Sequence, residues 1–454
     1  MENNLYYKKQ NVYEKYNDIN EINKYAEGYK AYLNVSKTER DCVRATIEIA
    51  KQNGYTEYSF GDKLVRGGKY YYNNRGRCLY LFRIGTENIN NGIRILASHI
   101  DSPRIDFKQM PIYEDSGLCF AKTRYYGGIR KYQWLALPLA LHGTIVKKNG
   151  EGVNICIGED DNDPVFYITD LLPHIAHEYK DIPLGKAISA EKLNVLLGSI
   201  PSSDCSEDTK VKHNILSILN EKYGIVEEDF LSADIFAVPA GKARDVGFDR
   251  SLICAYGHDD KVCAYPSLTS LFASDDTNRT SMVILCDKEE IGSEGNTGIQ
   301  SRIFADLMAI ITDALGGNIY AVRANSKCIS SDVSSCYDPN YAEAFDAKNV
   351  NRINCGIAMS KYTGSGGKYD TNDASAEYIA YLRRLFEDNG IIWQTGDMGR
   401  NDLGGSGTIS KYIANYNIET IDIGVPVLSM HAPYEVISKA DIYCAHKAFT
   451  AFLK

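Results

Sequence analysis

Apolar residues recur along this chain with two different periods. Ile442, Ala445, Ala448, Phe449 and Phe452 return at helical spacing, so a terminal helix is expected to begin near Ser438. "ASAEYIAYLRRLFEDNG" has the same texture and leads into the short apolar run "IIWQTG". By contrast "CLYLFRIG", "GIRILASHID", "SMVILCD" and "ETIDIGVP" are brief, apolar and bounded by turn residues, as strands buried on both faces are. A helix is expected from Arg302 to Leu315, with "NIYAVRAN" as the next strand of the alternation. Tyr6 to about Gly54 reads as helical, and "SKTERDCVRATIEIAKQNG" is its clearest piece. Ser36 is its candidate N-cap, Glu39 follows three residues later, and Gly54 is the stop.

Strands separated by helices imply an α/β fold with a largely parallel sheet covered by helices, whose sites lie at the carboxyl ends of the strands. From about Pro103 to Ala240 the texture changes to short strands such as "HGTIVKK" and "GVNICIG", polar loops and one charged helical stretch. The expected organisation is therefore a main domain in two parts, residues 1–102 and 241–454, with residues 103–240 inserted as a mostly β domain.

Length and charge narrow the class. The 454 residues suffice for two domains, and a net charge of −9 argues against nucleic acid or an anionic membrane as a general partner. The start, "MENNLYYKKQNVYEKY", lacks the apolar core of a signal peptide, and the apolar stretch from Trp134 to Val146 is too short to span a bilayer. A cytoplasmic location is expected. The twelve cysteines are scattered without C-x-x-C spacing, so they are read as reduced structural thiols.

The chemistry lies where apolar runs stop. "RILASHIDSP" ends on His99 and Asp101; "AYGHDDKVC" presents Asp259 and Asp260; "CDKEEIGSEG" sets Glu289 beside Glu290; "CISSDVSSC" supplies Asp332; "SMHAPYE" supplies His431. Each alone reads as a cap, a core histidine or a surface acid. Together they place two imidazoles and several carboxylates at strand ends, which suits a pair of zinc-class ions bridged by one carboxylate. Two such ions activate a shared water and polarise a carbonyl, while a non-ligating glutamate serves as general base.

These motifs resemble the aspartyl aminopeptidase and aminopeptidase I family of dinuclear zinc exopeptidases. The likeness runs nearly end to end through "SHIDSP", "GHDDK", "DKEEIGSEG", "SSDVSSCYDPNY", "KYTGSGGKYDTNDAS", "MGRNDLGGSGTI" and "SMHAPYE", and is nearer the aminopeptidase I branch. It implies two Zn2+ per chain, with cobalt or manganese as substitutes. His99 and Glu290 would bind one ion, Asp332 and His431 the other, and Asp259 would bridge them. Glu289 would be the general base and Asp101 the support of His99. It also implies that residues 103–240 mediate dimerisation, that His174 reaches an active site across a subunit contact, and that the assembly is a dodecamer acting on peptides. Ser335 and Asp338 stand where many aspartyl aminopeptidases carry histidines. Lys361, Lys368, Tyr369 and Arg400 are the candidate substrate contacts, and acidic or medium apolar N-terminal residues are the candidate substrates. Two alternatives stay open: a zinc amidohydrolase acting on acylated amino acids, and a non-catalytic scaffold retaining the fold.

Overall fold

The computed structural model describes residues 5–16, 18–204, 208–274 and 278–454. The chain divides into two compact units, one of residues 1–101, 243–430 and 435–454, the other of Ser102–Lys242 with His431–Tyr434.

The first unit is organised by a nine-stranded sheet. In chain order its strands are β1 (Thr56–Glu57), β2 (Lys69–Asn74), β3 (Cys78–Arg83), β4 (Arg94–His99), β5 (Ser281–Cys286), β6 (Lys327–Ser330), β7 (Ile357–Ser360), β8 (Trp393–Thr395) and β9 (Glu419–Gly424). Across the sheet they run β1-β2-β3-β5-β4-β6-β9-β7-β8. The central set β5, β4, β6 and β9 is parallel, whereas β3 against β2 and β5, and β7 against β9, are antiparallel. The fold is thus mixed α/β with several sheets.

The central strands are apolar on both faces because both faces are covered. Leu79, Leu81, Leu96, Val283 and Leu285 join one core with residues of the helices Ile19–Asn34, His258–Phe272 and Lys439–Leu453. Tyr80, Phe82, Ile95, Ala97, Met282 and Ile284 turn to the other, with Phe304, Leu307 and Ile311 of the helix Ile303–Ala314. Alternate residues of one strand enter opposite cores, as a pleat requires. A five-stranded sheet in the same unit contains Leu252–Ala255, Glu435–Ser438 and Pro426–Leu428.

Among the described residues of the second unit seven strands, including Arg104–Asp115, Pro138–Val146 and Ala233–Pro239, pair antiparallel, and the helix Lys210–Tyr223 packs against part of this sheet. His431 and Tyr434 belong here: His431 Nδ1 lies 3.0 Å from the Gly128 carbonyl, and the Tyr434 hydroxyl donates to the Ala240 carbonyl at 2.7 Å.

Two local expectations need correction. "NIYAVRAN" is the helix Ile319–Asn325, not a strand: the Asn318 side chain accepts from the backbone N–H groups of Tyr320 and Ala321, and the strand follows at Lys327. The first turn of that segment is thereby satisfied as a helix. The helix Glu39–Gln52 is capped by Thr38 in a reciprocal box with Asp41, not by Ser36, and Glu39 pairs with Arg77 instead. Elsewhere the helix Lys439–Leu453 starts after Ser438, which accepts from the N–H groups of Ala440 and Asp441. No single helix among the described residues is long and apolar enough to cross a membrane, and no disulfide links the described cysteines to one another.

Candidate metal centre

Strand register brings the acids together. β4 lies between β5 and β6, parallel to both; Cys286 is level with His99, and Ser330 with Ala97. His99 ends β4, the Glu289–Glu290 turn follows β5, and Asp332 lies two residues past Ser330, the last residue of β6. Asp259 comes from the start of the helix His258–Phe272, which packs over β4 and β5.

The side-chain donors of His99, Asp259 and Glu290 lie within 4.8 Å of one another, as do those of His99, Glu289 and Asp332. His99 Nε2 is 3.1 Å from Asp259 Oδ1 and 3.6 Å from Asp332 Oδ1. Its Nδ1 is 3.0 Å from the Asp101 carbonyl and 3.3 Å from Asp101 Oδ1, which orients the ring with Nε2 toward the acids. Asp101 also accepts from the backbone N–H groups of Glu289 and Glu290, at 3.2 Å each, so one buried carboxylate orients the imidazole and both glutamates.

Two supports beyond the expected set emerge. The His99 N–H donates to Asp260 Oδ2 at 3.3 Å, and the Asp259 N–H donates to Glu435 Oε2 at 3.0 Å. Asp260 was visible as the second aspartate of "GHDD"; Glu435 lies on a strand of the smaller sheet and carried no local signal.

The electrostatics favour a cation. Burial and neighbouring carboxylates push Glu289 up to about 8, outweighing the opposing pull of His99. Burial likewise raises Asp332, and burial with the Asp332 charge raises Asp260 well above the usual range. Burial lowers the affinity of His99 for a proton, but Asp332, Asp101 and Asp259 overcome it and raise its pKa. Crowded acids of this kind are relieved by a divalent ion, and their nitrogen and oxygen donors suit zinc.

The remaining candidates are not members of these triads. His431 is in neither; its Nδ1 is engaged by Gly128. His174 is exposed in the short turn Pro173–Ile175 of the second unit. Lys361 and Lys368 each meet one oxygen of Asp373 at 2.9 Å, and Lys361 also donates to the Ala374 carbonyl. Lys368 stacks over the Tyr362 ring and lines a small hollow with Arg400, whose guanidinium donates to the Glu343 carbonyl. Tyr369 is largely exposed. Asp338 caps the short helical turn Pro339–Ala344, and Ser335 lies in a two-residue strand.

The family described as Aminopeptidase I zinc metalloprotease (M18) matches residues 32–453. A probable M18 family aminopeptidase 1 from Clostridium acetobutylicum is 48% identical, with 100% of each chain covered. The crystal structure of an M18 aminopeptidase from Thermotoga maritima superposes with a TM-score of 0.94 at 38% identity, covering 99% of this chain and 100% of the other. Aminopeptidase I from Clostridium acetobutylicum superposes at 0.93 and 44% identity, with 99% and 100% covered. The mApe1 dodecamer of Saccharomyces cerevisiae shares the fold at a TM-score of 0.78 and 21% identity, with 95% and 97% covered. This chain is a zinc metallopeptidase of the M18 aminopeptidase family.

Proposed function

We propose that the enzyme removes the N-terminal residue from peptides at a two-zinc site in which Glu289 is the general base. The observation that carries this reading is the pair of donor triads sharing His99, with adjacent glutamates divided between them. Glu290 lies with His99 and Asp259, as a ligand would; Glu289 lies with His99 and Asp332. As the family likeness implies, His99 and Glu290 would hold one ion and Asp332 and His431 the other, with Asp259 shared. When bound, the zinc ions supply Lewis acidity toward the scissile carbonyl and the attacking water.

The chain's own residues do the rest. Asp101 holds the Nδ1 side of His99 and, through two backbone N–H groups, fixes both glutamates. Burial and its acidic neighbours raise Glu289 to about 8, and a cation held by the neighbouring ligands would favour its anionic form. Glu289 then takes the proton of the attacking water and returns it to the leaving amine.

Glu289→Gln keeps the shape and removes the basic oxygen. Both zinc ions should stay, and turnover should fall roughly 10²–10⁴-fold. Glu290→Gln should instead lose zinc, with partial rescue by excess metal. Opposite symptoms would reverse the two roles, and unaffected activity in both variants would remove the site from this turn. A free-amino peptide should be hydrolysed and its N-acetylated form refused; the reverse would favour an acylamino-acid hydrolase.

Medium apolar N-terminal residues are the proposed preference, because Asp373 already engages both lysines that would greet an acidic side chain. The second unit is the proposed dimerisation domain, and His174 the proposed contact to a neighbouring active site. Dodecamers, as the yeast fold relative forms, are the proposed assembly, and a fully active monomer in light scattering would refute it. A cytoplasmic setting is the proposed location.

A further inference from the structure

The turn bearing Glu289 and Glu290 is tied on a second side, away from Asp101. Asp287, fully buried just past β5, accepts from Arg77 Nε at 3.2 Å and from the Thr297 hydroxyl at 2.7 Å. The same guanidinium donates through Nη2 to Glu39 Oε1 at 2.8 Å, and Glu39 is itself fully buried at the start of the helix Glu39–Gln52. Arg77 therefore spans two buried carboxylates from different elements.

It does so from a rigid base. Arg77 sits at the β2–β3 turn, where Arg75 and Gly76 have φ of 62° and 67° and the Asn73 side chain accepts from the Gly76 N–H at 2.8 Å. Asn74 of that turn donates to the Asn296 carbonyl at 2.8 Å, so one hairpin grips the 287–297 loop at two points. Between them the loop takes left-handed conformations at Lys288 (φ 67°), Gly292 (101°) and Ser293 (62°) and closes with a 2.7 Å Ser293 N–H to Lys288 carbonyl bond. Non-glycine residues keep such conformations only where their surroundings over-determine them.

We propose that Arg77 is a positioning residue for the aminopeptidase reaction, setting the place of the Glu289 carboxylate by spanning Asp287 and Glu39. This rests on the reading of Glu289 as general base. The planar fork of Arg77 serves two acids in fixed directions, which a lysine ammonium cannot reproduce. A base displaced by about 1 Å costs up to roughly 10²-fold in rate.

The test is a double-mutant cycle in the zinc-loaded enzyme, with zinc content and thermal melting recorded for every variant. Arg77→Met should lower kcat roughly 10–100-fold with KM unchanged and both zinc ions retained. Arg77→Lys should lie between it and the parent. In a Glu289→Gln background Arg77→Met should cost no further turnover, because the group it places is already disabled. An equal loss in both backgrounds would overturn the proposal in favour of a general structural role. Unchanged kcat would overturn it, and so would zinc loss, which would mean that Arg77 acts through the ligand Glu290. If Arg77→Met does not fold, Arg77→Lys is read in the same cycle by the same criteria. If Glu289→Gln alone leaves kcat intact, the general-base reading falls and the proposal falls with it; additivity beside an impaired Glu289→Gln would sink only the proposal.

Discussion

Asp245 and the acids around His99 are both withdrawn from water, yet they titrate in opposite directions. Asp245 meets Lys30 Nζ at 2.8 Å, Lys439 Nζ at 2.9 Å and Arg250 Nε at 3.0 Å. Burial pushes its pKa up, but the three cations win and hold it well below the usual range. Around His99 burial prevails: Glu289, Asp332 and Asp260 are all raised. The difference is where the compensating charge resides. At Asp245 the chain carries it on its own side chains; at His99 the acids are left for an ion to neutralise. Buried carboxylates are therefore read by what faces them.

Removing the metal should widen that contrast most. Chelation should abolish peptide hydrolysis, and zinc, cobalt or manganese should restore it. The melting temperature should rise on metal return, since free metal near a thousand times Kd adds about 4 kcal/mol of stability. Indifference of both activity and melting to chelator would erase the distinction.

Asp245→Asn strikes the other side. Cutting a mostly buried carboxylate out from three cations should destabilise the fold by about 3 kcal/mol, seen in denaturant melts, while zinc content stays unchanged. Loss of zinc in that variant would show that the two sites are not separate.

The pH trends should also have opposite signs. Glu289 rises from 4.5 to about 8 in the fold without metal, so between those values the native chain binds more protons than the unfolded one. Stability of the chelated protein should then fall as pH climbs from 5 to 8. Asp245, depressed in the fold, contributes stability above its ordinary pKa and loses it as pH falls further. Melts of chelated protein that rise from pH 5 to 8 would contradict the first half; an Asp245→Asn variant as acid-sensitive as the parent would contradict the second.

The smallest effect concerns Asp373. Its pairs with Lys361 and Lys368 are well exposed, so Asp373→Asn should alter stability by less than about 1 kcal/mol. Freed lysines should raise kcat/KM for N-terminal Asp or Glu relative to Leu. An unchanged ratio would mean that these lysines do not select the substrate.

Some of the molecule was written locally. The apolar runs of β3, β4, β5 and β9, the helix after Ser438 and the ordered motifs around His99, Asp259, Glu289, Glu290, Asp332 and His431 depend on neighbours in the chain, so period and motif suffice to find them. The family likeness followed from the same residues. Other features needed the folded chain, because they join residues far apart in sequence. The convergence of five metal-type donors depends on β5, β4 and β6 lying side by side in register. Glu435 beneath Asp259, Asp373 between two lysines, and Arg77 bridging Glu39 to Asp287 have no periodicity to betray them. The segment "NIYAVRAN" shows the limit on a smaller scale: its apolar content fits strand or helix, and the cap made by Asn318 decides for helix. Local pattern determines which residues are buried and which elements form; only the tertiary arrangement determines which buried charges meet, since Coulomb energy depends on distance through space and not along the chain.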